Sequence, residues 1–134
     1  MRRSLLALCC VWLLLGASCK SELTRTHDGV DVTLVSLKRA KEFTVPGTLN
    51  SFVSNPGTEL AIVSVKATKE MNTDGLKLQL RDAGSRSHDA IFHQVFNFED
   101  KHAEIEIVFE VPEGSNLVSF SLGSASFDLS KLPR

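Results

Sequence analysis

The sequence predicts an all-β fold, an antiparallel β-sandwich of about seven or eight strands. Two observations indicate it: apolar residues recur with a period of two along several short runs, and turn-forming segments containing proline or glycine separate these runs at intervals of roughly ten residues. No long segment has the apolar period of a helix. A chain of 134 residues is long enough for one such domain and too short for two.

The segment 104–111, EIEIVFEV, has the clearest alternation. Its apolar residues would face the core, and its glutamates would face outward. The segment 76–81 alternates in the same way. The apolar set is Ile105, Ile107, Phe109 and Val111, and the acidic set is Glu104, Glu106 and Glu110.

Two further segments predict details of strand geometry. Val30 and Val32 alternate until the apolar phase shifts at Val35, which predicts a bulge or a segment buried on both faces. Near the C-terminus, Gly123 and Ser124 would form a two-residue hairpin loop, with glycine where a type II′ turn needs it. A bulged corner between two sheets is the alternative. The hairpin would place three apolar pairs on the core face: Leu122 with Ala125, Phe120 with Phe127, and Val118 with Leu129.

The N-terminal segment has the order of an export signal. Arg2 and Arg3 precede an apolar run over residues 5–15, and small residues follow it. As a helix at ~1.5 Å per residue this run would span only about 20 Å, which is short of the roughly 30 Å of a hydrocarbon core. We therefore expect residues 1–18 to be a cleaved signal peptide.

Cys19 comes directly after this segment. The other cysteines, Cys9 and Cys10, lie in the part that would be removed, so the mature chain offers Cys19 no intramolecular disulfide partner. Ala17 and Ser18 resemble the small residues of a bacterial lipobox, although the leucine usually found three residues before the cysteine stands at position 15. The resemblance implies that Cys19 is lipidated and becomes the first residue. Ordinary secretory cleavage, with Cys19 incidental, is the alternative.

These expectations divide the chain into a lipoprotein signal peptide (1–18), a lipidated cysteine with a flexible tether (19–28) and one domain (29–134). The domain would be exported and anchored to a bacterial membrane, inner or outer, facing the periplasm or the cell exterior. One acyl chain binds marginally at ~0.8 kcal/mol per buried CH₂, whereas several chains anchor stably. The formal net charge of −1 becomes more negative without Arg2 and Arg3, which gives no electrostatic basis for binding nucleic acid.

Residues 75–90, GLKLQLRDAGSRSHDA, and 104–122, EIEIVFEVPEGSNLVSFSL, resemble a telokin-like, immunoglobulin-type domain of unknown function that occurs in many bacterial lipoproteins. In that family a strand ending in Asp with a Gly turn is followed by a strand reading Val-Phe-acidic-Val-Pro, here Val108 to Pro112. The resemblance extends over most of residues 30–129. It implies an immunoglobulin-like β-sandwich, and it brings no catalytic residue.

The candidate sites for metals and catalysis are weak. His88 and His93 are five residues apart, which on a regular strand points them to opposite faces, so no shared zinc site is expected. The acidic row of 104–110, with Glu99 and Asp100 before it, has no calcium-binding loop, so a solvated outer face is expected rather than a calcium site or a partner-facing patch. No nucleophile motif surrounds a serine. We therefore expect no cofactor, no metal and no enzymatic activity.

The aromatic residues are concentrated in AIFHQVFNF (90–98), where Phe92, Phe96 and Phe98 are in phase. In a regular sandwich strand they would belong to the core, and at an edge they would form an apolar interaction patch. The function expected from these observations is that of a non-enzymatic cell-envelope lipoprotein, a binding or protein-interaction module with an unknown partner. A periplasmic enzyme inhibitor, a small-ligand carrier and, with less support, a hydrolase are the alternatives.

Overall fold

A computed structural model describes residues 21–133, and nearly all of the regular structure in this range is β-strand. The strands are β1 (Thr24–His27), β2 (Val30–Ala40), β3 (Glu42–Thr44), β4 (Ser51–Val53), β5 (Thr58–Ala67), β6 (Leu78–Asp82), β7 (Ser87–Asn97), β8 (Ala103–Pro112), β9 (Leu117–Leu122) and β10 (Ala125–Asp128). Eight pair antiparallel in the order β1-β2-β5-β8-β7-β6-β9-β10, and β3 pairs with β4. A 3-10 helix, Leu129–Lys131, follows β10. Within residues 21–133, no helix is long and apolar enough to cross a bilayer.

Strand β7 connects two layers. Its residues 87–89 pair with β6, and its residues 90–97 pair with β8. The pairing slips by one residue at Ile91, and a bulge of this kind bends a strand so that it can pass from one sheet to another. One layer contains β1, β2, β5, β8 and the second part of β7, and the other contains the first part of β7, β6, β9 and β10. The order β5-β8-β7-β6 is a Greek key, and the prediction of an antiparallel β-sandwich is confirmed.

The core lies between these two layers. Phe109 comes from β8, whereas Phe120 and Phe127 come from the opposite layer, and all three are exposed by 1% or less. The ring centroids of Phe109 and Phe120 are 6.2 Å apart, edge to face, and those of Phe120 and Phe127 are 5.7 Å apart. Burial of each ring contributes roughly 1.5–3 kcal/mol. The phase predicted for 104–111 is confirmed, since the other buried residues of β8 include Ile105, Ile107 and Val111.

Strand β2 has the phase shift that its sequence predicts. Its pairing with β5 slips between Leu34 and Ser36, so the bulge lies at Val35. Val35 is 44% exposed, whereas Leu34 lies in the core. Beyond the bulge, Leu37 pairs with Val63 and packs against the core again. The shift is therefore a bulge and not a segment buried on both faces.

Hairpin β9–β10 has the predicted register next to its turn. Gly123 has a φ of +56°, and Ser124 does not have a positive φ, as a type II′ turn requires. The confirmed pairs are Leu122 with Ala125 and Phe120 with Phe127.

The third predicted pair of this hairpin, Val118 with Leu129, is wrong. Strand β10 ends at Asp128, and Leu129 begins the 3-10 helix. The pairing of β9 with β6 skips residue 118, which turns Leu117 into the core and leaves Val118 38% exposed. A slip of one residue reverses the faces of all the residues beyond it.

The folded part of the chain begins before the expected boundary at residue 29. Strand β1 pairs with β2 along its whole length, and the hydroxyl oxygens of Thr24 and Thr33 are 2.8 Å apart. Asp28 and Gly29 turn between these strands, both with positive φ, as Asp-Gly hairpin loops do. Residues 24–27 therefore belong to the sheet rather than to a flexible tether. The expected signal peptide and Cys19 lie outside the described residues.

Candidate binding face on the five-stranded layer

The layer that contains β8 has an outer face, on the side away from the core. The acidic row and the aromatic segment of the sequence both lie on it. Residues of β8 that alternate with the core positions point to this face, and they include the acidic row. Strand β7 pairs Gln94 with Glu106 and Phe96 with Glu104, so these residues share the face. The aromatic segment and the acidic strand are therefore neighbours on one surface.

The three phenylalanines of the aromatic segment 90–98 do not join the core. The bulge at Ile91 reverses the phase of the strand, so that His93 faces the core in place of a phenylalanine. Phe92 and Phe96 are half-buried on the outer face, and Phe98, beyond the end of the strand, is 41% exposed. The expectation of a core position is therefore wrong. The bulge reverses the side of the strand on which these residues lie, but it leaves their spacing in the sequence unchanged, so the apolar pattern does not reveal it.

Hairpin β3–β4 covers one half of the outer face. Phe43 and Phe52 of this hairpin contact Phe92, with ring centroids 6.2 and 5.1 Å away. Leu60 and Val108, which point to the outer face from β5 and β8, are fully buried. A second, smaller apolar cluster therefore lies on this side of the layer, and the chain itself closes this half of the face.

The other two phenylalanines have different neighbours. Phe98 stacks on His102 in the loop after β7, with ring centroids 4.4 Å apart and planes 6° apart. Phe96 lines a groove of about 290 Å³ in the half that the hairpin leaves uncovered. Of the three residues of the candidate patch, Phe96 is the one that faces this open cavity, called the outer groove below.

The outer groove crosses four strands and carries charges of both signs. Strands β2 and β5 contribute Lys38 and Lys66, and β8 contributes Glu104 and Glu106. Val35, which the bulge in β2 leaves exposed, also lines it. Lys66 Nζ lies 3.9 Å from Glu104 Oε1, which at such exposure is a weak ion pair. The groove therefore presents cationic and acidic groups on neighbouring strands.

Two acceptor atoms at this face have no hydrogen-bond donor. Glu106 Oε2 and Gln94 Oε1 are buried and unpartnered within the described chain, and their residues lie directly opposite each other on β8 and β7. An unsatisfied buried acceptor costs about 1–3 kcal/mol, and more when it is charged. Glu110, on the same face, accepts a hydrogen bond from Asn55 Nδ2 at 2.7 Å. The three glutamates of the acidic row are half-buried on this outer face.

The histidines of β7 have separate partners. The bulge at Ile91 places His88 and His93 on the same side of the strand, so the expectation of opposite faces is wrong. His88 Nε2 is 3.1 Å from Asp82 Oδ2, and His93 Nδ1 is 2.6 Å from Thr73 Oγ1. Within residues 21–133, no three side chains of His, Cys, Asp or Glu are grouped so that they could hold a metal ion.

Asp82 organises the turn that follows β6. Its Oδ1 accepts hydrogen bonds from the backbone N–H groups of Gly84 at 2.9 Å and Arg86 at 3.0 Å. The hydrogen bond with His88 is the main reason that the pKa of Asp82 lies below its usual value, and the two backbone donors lower it further. Asp82 is therefore a structural residue of the turn.

A Ser-His-Asp arrangement is present that the sequence analysis missed, because Ser124 is far from His27 and Asp28 in the chain. His27 Nδ1 is 2.9 Å from Ser124 Oγ, and His27 Nε2 is 3.5 Å from Asp28 Oδ2. Acyl transfer also needs free N–H donors for an oxyanion. The N–H of Ser124 donates to His27 Nδ1 at 3.3 Å, and that of Gly123 donates to the Lys77 carbonyl. We interpret the arrangement as a structural contact that holds β1 against hairpin β9–β10.

Similarity to known proteins extends to the fold alone. No protein-family model matches the chain, and no curated protein matches it in sequence. A solved structure does resemble it: an uncharacterized β-sandwich protein from Clostridium difficile, with a TM-score of 0.54 over 78% of this chain and 86% of that chain. The chain is a β-sandwich protein. The two sequences are 9% identical, so this likeness gives no information about activity or ligand.

Proposed function

We propose that the protein is a bacterial cell-envelope lipoprotein, anchored by a lipidated Cys19, whose β-sandwich is a non-enzymatic binding module. The observation that carries the binding role is the outer groove, an open cavity with charges of both signs and an aromatic wall at Phe96. Ligand sites commonly combine apolar walls with a few polar groups of this kind. The module faces the periplasm or the cell exterior and uses neither nucleic acid nor a cofactor.

We also propose that the β-sandwich is a telokin-like, immunoglobulin-type domain. Two placements support it: the RDAG segment turns around Asp82 after β6, and the VFEVP segment ends β8. Greek key order, present here in β5-β8-β7-β6, is also common among β-sandwiches.

The anchor would hold the module close to the membrane. Strand β1 begins at Thr24, and Leu23 already packs against the core. The chain from Cys19 to Leu23 spans at most roughly 15 Å, at ~3.3–3.6 Å per residue. A module held so near the bilayer would bind its ligand or partner at the membrane surface.

Mass spectrometry of the N-terminal peptide tests the anchor. We expect the mature chain to begin at Cys19 with acyl chains attached, and Cys19→Ala to release the protein from the membrane fraction. Cys10→Ala is the matched control, because it removes a cysteine from the expected signal segment, and it should leave membrane association unchanged. An unmodified Cys19 in the mature protein would refute the anchor.

Photo-crosslinking in cells tests the binding role. A photoreactive amino acid at Val35, which lines the outer groove, should reproducibly capture a ligand or partner. The same amino acid at Ser126, which is exposed on β10 of the other layer, is the control and should not capture it. Identical products at the two positions would contradict the proposal, as would ester hydrolysis by the pure protein that Ser124→Ala abolishes.

A further inference from the structure

We propose that the unpaired edge of β2 binds an extended peptide of a partner protein as an added strand, in which apolar and acidic residues alternate. The site consists of residues 36–40 of β2, called the open edge below, and a cavity beside it. Ser36 and Lys38 of the open edge also border the outer groove, but the backbone groups and the cavity that would hold the peptide are not part of that groove. The inference therefore goes beyond the proposed function.

Strand β2 is paired on both sides over only part of its length. Its residues 30–33 pair with β1, and the N–H of Leu34 donates to the Leu23 carbonyl at 2.8 Å. In the described chain, residues 36–40 pair with β5 alone. Alternate residues of an antiparallel strand direct their N–H and C=O groups to opposite sides, so the open edge presents backbone groups that an added strand can bond.

A cavity of about 670 Å³ lies beside the open edge and reaches the opposite layer. Val118, which the slip in the pairing of β9 leaves exposed, is one of its apolar wall residues. The charged side chains that line it, Arg39 and Asp128, already have hydrogen-bond partners within the chain. Alternate side chains of an added strand would enter this cavity, and apolar ones match its walls. These walls are formed by Leu37, Leu117, Val118, Leu129 and Leu132.

The charge of Lys38 defines the other side of the added strand. Lys38 lies on the outer side of β2, and it has no hydrogen bond or ion pair within residues 21–133. Lys66, on the neighbouring strand β5, adds a second positive charge on this side. An acidic residue of the added strand next to Lys38 would form a favourable cross-strand pair. The peptide therefore has acidic residues on its outer side and apolar residues on the side of the cavity.

A second copy of this chain fits the open edge less well than such a peptide. If two open edges paired antiparallel about a two-fold axis over residues 36–40, the two Lys38 side chains would lie directly opposite each other. Like charges in this position destabilise a sheet, and lysine is a common means of preventing edge strands from self-association. The same lysine favours an acidic partner, so it contributes to specificity.

Binding of a synthetic peptide to the full-length protein in detergent tests the inference. The probe is a fluorescent heptapeptide in which glutamate alternates with valine, and anisotropy measures its binding. It should bind, and a peptide with lysine in place of each glutamate should bind about fivefold more weakly or worse. Two further versions are N-methylated at alternate backbone nitrogens, in one phase or the other. One of them should lose binding because its methyl groups replace the donors that face β2, and the other should bind as the parent does.

A charge reversal on the protein tests the role of Lys38. Lys38→Glu should reverse the preference, so that the lysine peptide binds more tightly than the glutamate peptide. Loss of stability cannot produce such a reversal, because an unfolded protein would bind neither peptide specifically. Lys69→Glu is the matched control, since Lys69 is exposed in the loop after β5 and lines neither cavity, and it should keep the natural preference.

A second pair of variants tests the cavity. Val118→Asp places a charge on its apolar wall and should weaken binding of the glutamate peptide by about tenfold. Val53→Asp is the control, because Val53 is an exposed valine of hairpin β3–β4 outside the cavity, and it should bind the peptide as the natural chain does.

Hydrogen exchange shows whether the edge is free before the peptide is added. The amides of residues 36–40 that do not bond to β5 should exchange rapidly in the free protein and slowly in the complex. Protection in the free full-length protein would mean that its own chain or a second copy already covers the edge, which overturns the inference. No binding of the glutamate peptide at millimolar concentration, equal binding of the two N-methylated peptides, or an unchanged preference in Lys38→Glu would overturn it as well.

Discussion

At the scale of single residues, Gly123 occupies a tightly constrained position. A Cβ atom there would lie 2.4 Å from Cε1 of His27, and its φ of +56° is unfavourable for residues with a side chain. We expect Gly123→Ala to lower the free energy of unfolding by about 1–3 kcal/mol, measured in urea. Gly57→Ala is the matched control, because Gly57 has a φ of +82° but open space around its Cβ position. Equal losses in the two variants would show that the His27 contact does not matter.

His27 makes a contact that reaches beyond its own strand. The residue is 9% exposed and its ring is hydrogen-bonded to Ser124, so it joins the first strand of the sheet to the last hairpin. Residues 27 and 124 are far apart in sequence, and nothing in their local patterns relates them. The hydrogen bond between Ser124 and His27 therefore stabilises the fold. The N–H groups of Gly123 and Ser124 are already bonded, which argues against a role of Ser124 in acyl transfer.

At the scale of secondary-structure elements, hairpin β3–β4 should stabilise the protein through one face only. Phe52 contacts Phe92 at 5.1 Å between ring centroids, whereas the next residue, Val53, is 68% exposed. We expect Phe52→Ala to cost about 1–3 kcal/mol, below the value for a fully buried ring, and Val53→Ala to change stability by about 0.5 kcal/mol or less. Thermal unfolding measures both. Similar losses would mean that the hairpin does not pack on the outer face as described.

The elements that could be predicted from the sequence are those with long, regular alternation or a glycine-marked turn. Strand β8 alternates along most of its length, interrupted only at Val108, and the turn at Gly123 sets the register of β9 and β10. Strands β1, β3 and β4 have only three or four residues each, too few for a periodic pattern to be distinct. The Asp28-Gly29 turn was a usable signal for β1, because Asp-Gly is a strong hairpin dipeptide.

The candidate site was harder to predict than the strands that carry it. Phe96 and Glu106 each belong to a segment that the sequence analysis singled out, yet their proximity depends on the pairing of β7 with β8. The bulge at Ile91 sets that register, and it moves the phenylalanines from the core side to the outer face. A one-residue slip leaves the apolar pattern intact while it reverses every side chain, so sequence alone does not reveal it.

At the scale of the whole molecule, charged groups connect strands of the core to a loop that lies outside it. Arg39 donates one hydrogen bond to Glu59 at 2.6 Å and another to the Ser115 carbonyl at 2.6 Å, which links β2, β5 and the loop after β8. The bond from Arg39 is the main reason that the pKa of Glu59 lies below its usual value. Asp82, through His88, has a lowered pKa as well. These carboxylates favour the folded state as long as they stay ionised.

The protein should therefore lose stability in acid. A carboxyl group whose pKa is lower in the folded than in the unfolded chain stabilises the fold above its unfolded pKa, which is about 3.9 for Asp and 4.3 for Glu, and the contribution disappears as the pH falls through the folded pKa. We expect urea unfolding to show Asp82→Asn less stable than the natural chain at pH near 7, with the difference shrinking below about pH 4 as the natural Asp82 takes up its proton. Asp74→Asn, at an exposed position in the loop before β6, is the control and should follow the natural chain at every pH. A difference between Asp82→Asn and the natural chain that did not vary with pH would show that Asp82 stabilises its turn by hydrogen-bond geometry alone and not by its charge.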